Sequence, residues 1–354
     1  MQLEQFDLTQ AGAIMSIDPH SLLLGLGNYA WKTKQELDLT RPAFYFSDFF
    51  LSTSAPWLQF EQYHELSISD FKSFFSTTPS TSLALDWQSP HQTLFYHEFQ
   101  SLKQKFACSN LQKAVPYIFA YCAEELKKER FYNSLYHALS YLQQGFGYLY
   151  GFWLEGKGLL GVTPELLFQY QEKSKPQLYT MALAGTCSKQ EDLSVFKENC
   201  KELQEHLCVM QGIKEALQNF GTVHIQELQV LELPVLNHLM APIQVELVAP
   251  LQFDELVRIL HPTPALGAFP RQEGRKWLEE YHKKLPRHYY GAPVGLLDQQ
   301  RQICQCTVAI RNVQWDKQGM RIGVGCGIIQ ASEQEREWAE LLLKVRAVRQ
   351  VLDL

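Results

Sequence analysis

Met320-Arg-Ile-Gly-Val-Gly-Cys-Gly-Ile-Ile-Gln-Ala-Ser-Glu-Gln-Glu-Arg-Glu-Trp-Ala-Glu-Leu-Leu-Leu-Lys344 runs from a glycine-spaced apolar segment, through a polar turn, into a charged helix. The helix places Glu337, Glu340 and Lys344 at spacings of three and four, so they share one face. Two carboxylates and an ammonium beside a Gly-x-Gly backbone suit a divalent cation and an anionic ligand. The same pattern also describes a solvated helix face. Upstream, Cys304-Gln-Cys-Thr-Val-Ala-Ile-Arg-Asn-Val and Met320-Arg-Ile-Gly-Val-Gly read as a hairpin around Trp315-Asp-Lys-Gln-Gly.

Working outward from that hairpin, strands and helices come in groups rather than in strict alternation. The spacing predicts helix over 109–147 and a strand pair from Gly147-Tyr-Leu-Tyr-Gly-Phe-Trp and Leu159-Leu-Gly-Val. Tyr179-Thr-Met-Ala-Leu-Ala-Gly reads as a strand ending at a glycine turn. A long charged helix is expected over 190–219, strands over 222–232 and 242–249, and helix over 271–286. The first hundred residues, with tracts such as Ser73-Phe-Phe-Ser-Thr-Thr-Pro-Ser-Thr-Ser, read as irregular strands and loops. The expectation is α+β: one large domain of antiparallel β-sheets flanked by helices.

Composition narrows the class. The 354 residues are 46% hydrophobic, enough for a large core. A net charge of -6 gives no electrostatic reason to expect nucleic acid. No apolar run approaches the roughly 20 residues that cross a bilayer, so no membrane partner is expected. The start, Met1-Gln-Leu-Glu-Gln-Phe-Asp, lacks the basic and apolar regions of a secretory signal. Eight scattered cysteines include no Cys-x-x-Cys pair and read as reduced thiols of a cytoplasmic protein.

Several positions could carry chemistry. In Lys201-Glu-Leu-Gln-Glu-His206, Glu202 and Glu205 share a helical face. With Glu337 and Glu340 they could hold one hard cation, or they could be two exposed charged helices. Glu165, after Gly161-Val-Thr-Pro, sits at the mouth of an apolar run. A desolvated carboxyl there suits a general acid, whereas a helix N-terminal glutamate would be the plain alternative. Leu183-Ala-Gly-Thr186 could offer backbone N–H groups to a carboxylate. His261-Pro-Thr-Pro-Ala-Leu-Gly-Ala-Phe-Pro-Arg271 must be an irregular loop, either shaping a pocket or connecting two elements. Arg311 is a candidate for bidentate capture of a carboxylate, or an ordinary strand-end arginine. Lys113 lies among apolar residues that would favour a neutral, basic amine, or is an ordinary lysine.

Taken in order, these pieces resemble the chorismate-utilising enzymes, the family of isochorismate, salicylate, anthranilate and aminodeoxychorismate synthases. The resemblance runs from about residue 105 to the C-terminus. It rests on Gly161-Val-Thr-Pro-Glu165, Leu183-Ala-Gly-Thr186, Glu205-His206, His238-Leu239 and His261-Pro-Thr-Pro-Ala265. Tyr290-Gly291, Ala309-Ile-Arg311 and Gly325-Cys-Gly-Ile-Ile through Glu340 and Lys344 complete it. It implies the fold of the anthranilate synthase large subunit. Residues 1–100 would be a weakly matching N-terminal part of that fold, and residues 101–354 the chorismate-binding catalytic core.

Within the family, His-Pro-Thr-Pro-Ala at 261–265 resembles the isochorismate synthases; anthranilate and salicylate synthases show threonine where Ala265 falls. Ala184 stands where some aminodeoxychorismate synthases carry a covalent lysine. Lys113 matches the lysine that activates water, although its surroundings, Lys113-Ala-Val-Pro-Tyr-Ile, depart from the family's Lys-Val-Val-Leu-Ala-Arg.

The resemblance implies Lys113 as general base and Glu165 as general acid. Mg²⁺ would be held by Glu205 and Glu340, with Glu202 and Glu337 alongside. Arg311, Tyr290 and the backbone at Gly325 and Gly327 would take the enolpyruvyl carboxylate. Gly185, Thr186 and Lys344 would lie near the ring carboxylate, with His238 and Ala265 lining the pocket. The implied activity is isochorismate synthase: water attacks ring carbon 2 of chorismate and the hydroxyl at carbon 4 departs. The product would supply menaquinone or siderophore synthesis. A salicylate synthase, a chorismate aminase or a non-catalytic chorismate-binding relative are the alternatives, and a monomer is expected.

Overall fold

The structure, a computed structural model, describes Leu8 and residues 11–75 and 85–354. The strands are β1 (Gly12–Ser16), β2 (Ser21–Lys32), β3 (Ala43–Phe46), β4 (Trp57–Ser67), β5 (Lys113–Ala114), β6 (Tyr117–Cys122), β7 (Tyr148–Leu154), β8 (Lys157–Thr163), β9 (Leu166–Gln171) and β10 (Gln177–Ser188). They continue as β11 (Gly221–Ile225), β12 (Gln229–Glu232), β13 (Leu236–Leu247), β14 (Ala268–Phe269), β15 (Pro293–Asp298), β16 (Ile303–Val308), β17 (Asn312–Asp316), β18 (Gly319–Gly325) and β19 (Ile328–Ile329). The helices are α1 (Ile68–Ser73), α2 (Gln92–Cys108), α3 (Lys128–Leu142), α4 (Leu193–Glu198), α5 (Cys200–Leu217), α6 (Phe253–Leu260), α7 (Arg271–Lys284) and α8 (Gln334–Leu352).

Among the described residues one sheet holds 16 strands, in the order β11-β13-β10-β9-β16-β15-β3-β4-β2-β1-β7-β8-β17-β18-β6, with β12 also on β13. A small sheet orders β14-β5-β19. Pairing is antiparallel, as expected for an α+β domain. Strand alternation splits the core. Ala13, Met15, Phe44, Phe46, Phe152 and Leu154 pack in one apolar cluster. Their neighbours Ile14, Ala43, Tyr45 and Trp153 face the larger one. The strands of the first 67 residues therefore lie inside the same sheet as the C-terminal strands; β3 pairs β15 and β1 pairs β7.

Five expectations need correction. Residues 113–122 are strand, not helix: Tyr117-Ile-Phe-Ala-Tyr-Cys is aromatic and apolar, and Pro116 breaks any helix before it. Residues 304–313 are two strands, because the chain turns at Arg311 (φ 57°); the hairpin partner of β18 is β17 alone. β10 does not end at Gly185 but bulges there (φ 81°) and continues to Ser188. The N-terminal part holds long regular strands and a 17-residue helix, α2. The 190–219 helix is split at Asn199, whose side chain caps α5 by accepting from Lys201 N and Glu202 N. Much of the Ser73–Ser82 tract, and the Met1–Asp7 start, lie outside the described residues. All eight cysteines are free thiols, and Cys122, Cys187, Cys208, Cys306 and Cys326 are buried. Among the described residues no helix is long and apolar enough to cross a membrane.

Candidate active site

The Gly185 bulge, the ends of β13 and β16, and the β18–β19 connection converge between α5 and α8. They enclose a cleft with about 580 Å³ of free space, part of it open to solvent. Glu165, Gly185, Thr186, Glu205, His238, Ala265, Tyr290, Arg311, Gly325, Gly327 and Lys344 all line it.

Lys113, Glu202, Glu337 and Glu340 do not line it. Lys113 is fully buried one layer behind, where its Nζ donates to Pro264 O at 2.8 Å and lies 3.4 Å from Glu205 Oε1. Gly327 separates it from the cleft. A Cβ there would collide with Glu205 Oε1 and Lys113 Cε, so only glycine lets the two side chains meet beneath the backbone. The short strand β5 fixes Lys113 by pairing with both β14 and β19. Glu202, Glu337 and Glu340 instead line a second, wider cavity together with Lys201 and Thr186.

Two cations, Arg311 and Lys344, and two carboxyls, Glu165 and Glu205, line the cleft. Arg311 Nη2 donates to His238 Nε2 at 3.1 Å, while His238 Nδ1 lies 3.3 Å from Gly185 O and 3.1 Å from Thr186 Oγ1. Burial, then the charges of Arg311 and Lys344, hold His238 well below the usual histidine range. Lys344 Nζ donates to Gly325 O at 2.8 Å and pairs with Glu340 at 2.6 Å. Burial pushes Glu165 up to about 8, against the opposing charges of Lys113, Lys344 and Arg311 and the nearby Thr263 hydroxyl. Burial thus favours its protonated form near neutrality. Glu165 lies in the β8–β9 connection, not at a helix N-terminus. The Thr186 N–H, exposed on sequence grounds, is taken by Glu202 Oε2 at 2.9 Å.

Sequence reasoning missed two charged groups. Lys201 Nζ sits among Glu202 (3.2 Å), Glu205 (2.9 Å) and Glu337 (2.9 Å). Its i, i+4 spacing to Glu205 was the available signal. Arg287 is 1% exposed and stacks over Phe49, with the Tyr117 and Tyr290 rings also in reach. Its Nε donates to Tyr290 O at 3.0 Å and its Nη2 to Leu266 O at 2.7 Å, which braces two cleft residues. Nothing in Leu285-Pro-Arg-His-Tyr marks it.

The acidic cluster suits a hard cation in its chemistry: the donors are all oxygen, and Glu337 Oε2 is buried with no hydrogen-bond partner. In its geometry it is centred on the Lys201 ammonium. Among the described residues no three His, Cys, Asp or Glu side chains are arranged to hold a metal.

A cleft that sets Arg311 and Lys344 beside the buried carboxyls of Glu165 and Glu205, carried on a large antiparallel sheet, is what the fold presents. The pattern of the chorismate binding enzyme family matches residues 61–353, and the chain belongs to that family. It is 31% identical over 206 residues to the salicylate biosynthesis isochorismate synthase of Pseudomonas aeruginosa, a match covering 54% of this chain and 41% of that one. It is 30% identical over 209 residues to isochorismate synthase EntC of Escherichia coli, covering 56% and 52%. The matches thus span about half the length of these relatives. The fold is that of MenF, the menaquinone-specific isochorismate synthase of Escherichia coli, with a TM-score of 0.77 at 20% identity over 99% of this chain and 92% of that one. DhbC from Bacillus anthracis, described as a putative 2,3-dihydroxybenzoate-specific isochorismate synthase, superimposes with a TM-score of 0.76 at 20% identity, covering 99% and 98%.

Proposed function

We propose that this chain is an isochorismate synthase that converts chorismate to isochorismate with Mg²⁺ as cofactor. The observation that carries this is Glu165: a buried carboxyl, protonated near neutrality, facing a cleft walled by Arg311 and Lys344.

Chorismate is a dianion, and stripping it of water requires fixed positive charge. Arg311, oriented by His238 and close to Tyr290, takes the enolpyruvyl carboxylate. The ring carboxylate lies towards Gly185, Thr186 and Lys344. Glu165 delivers its proton to the hydroxyl leaving carbon 4. Lys113, buried behind Gly327 with its Nζ on Pro264 O, is the group that would accept the proton of the water that attacks carbon 2, and to do so its amine has to leave Pro264 O and Glu205 and reach the cleft. Ala265, with one carbon in its side chain, leaves room for that water. Glu205, Glu340, Glu202 and Glu337 would hold Mg²⁺, which when bound supplies charge that neutralises the ring carboxylate. The double bonds shift within the ring, so no redox partner is needed. The names of the relatives support both menaquinone and siderophore supply, and we assign neither.

Product analysis after incubation with chorismate, with and without Mg²⁺, tests this. Isochorismate formed only with Mg²⁺ is the expected result. Release of pyruvate with salicylate moves the protein to the lyase branch. Absence of any conversion overturns the enzyme assignment.

A further inference from the structure

Lys201 lies in the first turn of α5 with its side chain 16% exposed. Its ammonium has three protons and three carboxylate neighbours: Glu205 Oε2 and Glu337 Oε1 at 2.9 Å each, and Glu202 Oε1 at 3.2 Å. With Lys113 also 3.4 Å from Glu205, two positive charges face three carboxylates, and the cluster keeps an excess negative charge that a dication in place of the Lys201 ammonium would neutralise. Glu337 Oε2 is buried there without a partner. The fourth carboxylate, Glu340, is turned aside to Lys344 at 2.6 Å. Directly over Lys201 lies the second cavity, with about 1200 Å³ of free space, part of it open to solvent. Glu191 and Glu333 stand on its wall. A lysine stem can swing into that space by side-chain rotation alone and find a new carboxylate.

We propose that Lys201 is a tethered competitor for the metal position. It holds Glu202, Glu205 and Glu337 together while no divalent cation is bound. It moves into the neighbouring cavity, towards Glu191 or Glu333, when the cation takes its place. Lys201 therefore sets the metal affinity of the site. This rests on the Mg²⁺ assignment above and goes beyond it.

The test is calorimetric titration of Mg²⁺ into the intact wild-type protein and into the Lys201→Met and Lys201→Gln variants, without chorismate. Both variants are expected to bind Mg²⁺ at least tenfold more tightly, and to melt at lower temperature than wild type in EDTA but not in Mg²⁺. Wild-type binding with equal or weaker binding in the variants overturns the role of Lys201 and leaves the metal assignment standing. No Mg²⁺ binding by any of the three overturns both. Reductive methylation of the wild type, read at Lys201 by mass spectrometry, needs no variant. Modification is expected to be slow in EDTA and several-fold faster in saturating Mg²⁺, and an unchanged rate overturns the proposed movement.

Discussion

Arg311 donates a hydrogen bond to His238, Nη2 to Nε2, at 3.1 Å. A guanidinium has no acceptor, so His238 Nε2 must be bare and Nδ1 must carry the proton, directed at Gly185 O and Thr186 Oγ1. One imidazole thus aims the arginine and ties it to the Gly185 bulge. His238→Ala should raise the KM for chorismate about tenfold or more with a smaller effect on kcat, because it loosens a binding group rather than a proton donor. Nitrogen-resolved NMR should show the Nδ1–H tautomer, still neutral at pH 6. An imidazolium signal at pH 6 contradicts this.

Glu165 predicts a pH limb. Its folded value of about 8 lies above its ordinary 4.5, so the folded protein keeps a proton that the unfolded chain loses. Its contribution to stability is therefore complete below about pH 4.5, declines as pH rises towards 8, and is flat beyond. Turnover should fall as pH passes about 8. Glu165→Gln should keep the fold, flatten that part of the stability profile, and lower kcat by at least about 10²-fold. A variant with wild-type kcat rules out the acid role.

Lys113→Met removes the proposed base and one of two lysines beside Glu205; Lys201 remains. Turnover should be lost. Stability should fall by about 1–3 kcal/mol, less than for breaking an isolated buried pair, as read by urea denaturation. Activity within tenfold of wild type excludes Lys113 as base.

Arg287→Leu should cost about 3–5 kcal/mol, since it deletes a cation stacked on three rings and strands the carbonyls of Tyr290 and Leu266. Thermal melting reads the loss. A shift of less than two degrees is incompatible with the bracing described.

Gly327→Ala should be as damaging to turnover as a substitution of a charged residue. The methyl would push Glu205 and Lys113 apart at a cost of about 1–3 kcal/mol. Steady-state kinetics alongside a melt distinguishes the two effects.

Much of the site was legible in short, ordered motifs. Gly185–Thr186, His238, Tyr290, Arg311, Gly325, Gly327 and Lys344 each stand in a local pattern, and they line one cleft. The patterns of period two and of three-to-four likewise marked β7, β8, β13, α7 and α8 without reference to anything distant. What failed was local propensity at places where packing rules. Residues 117–122 become strand because β18 offers them a partner along the whole segment, a contact 200 residues away in the chain. Arg311 turns out of its strand into the left-handed region, where it meets His238. The sequence by itself determined the class of fold, the family and the inventory of charged groups, because each is carried by spacing along a few turns or strands. Tertiary structure alone decided which charges meet: that Lys113 lies behind Gly327 rather than in the cleft, that Lys201 occupies the centre of the carboxylates, and that Arg287 is buried among rings. Those relations depend on burial and on approach between segments far apart in the chain, and no local pattern encodes either.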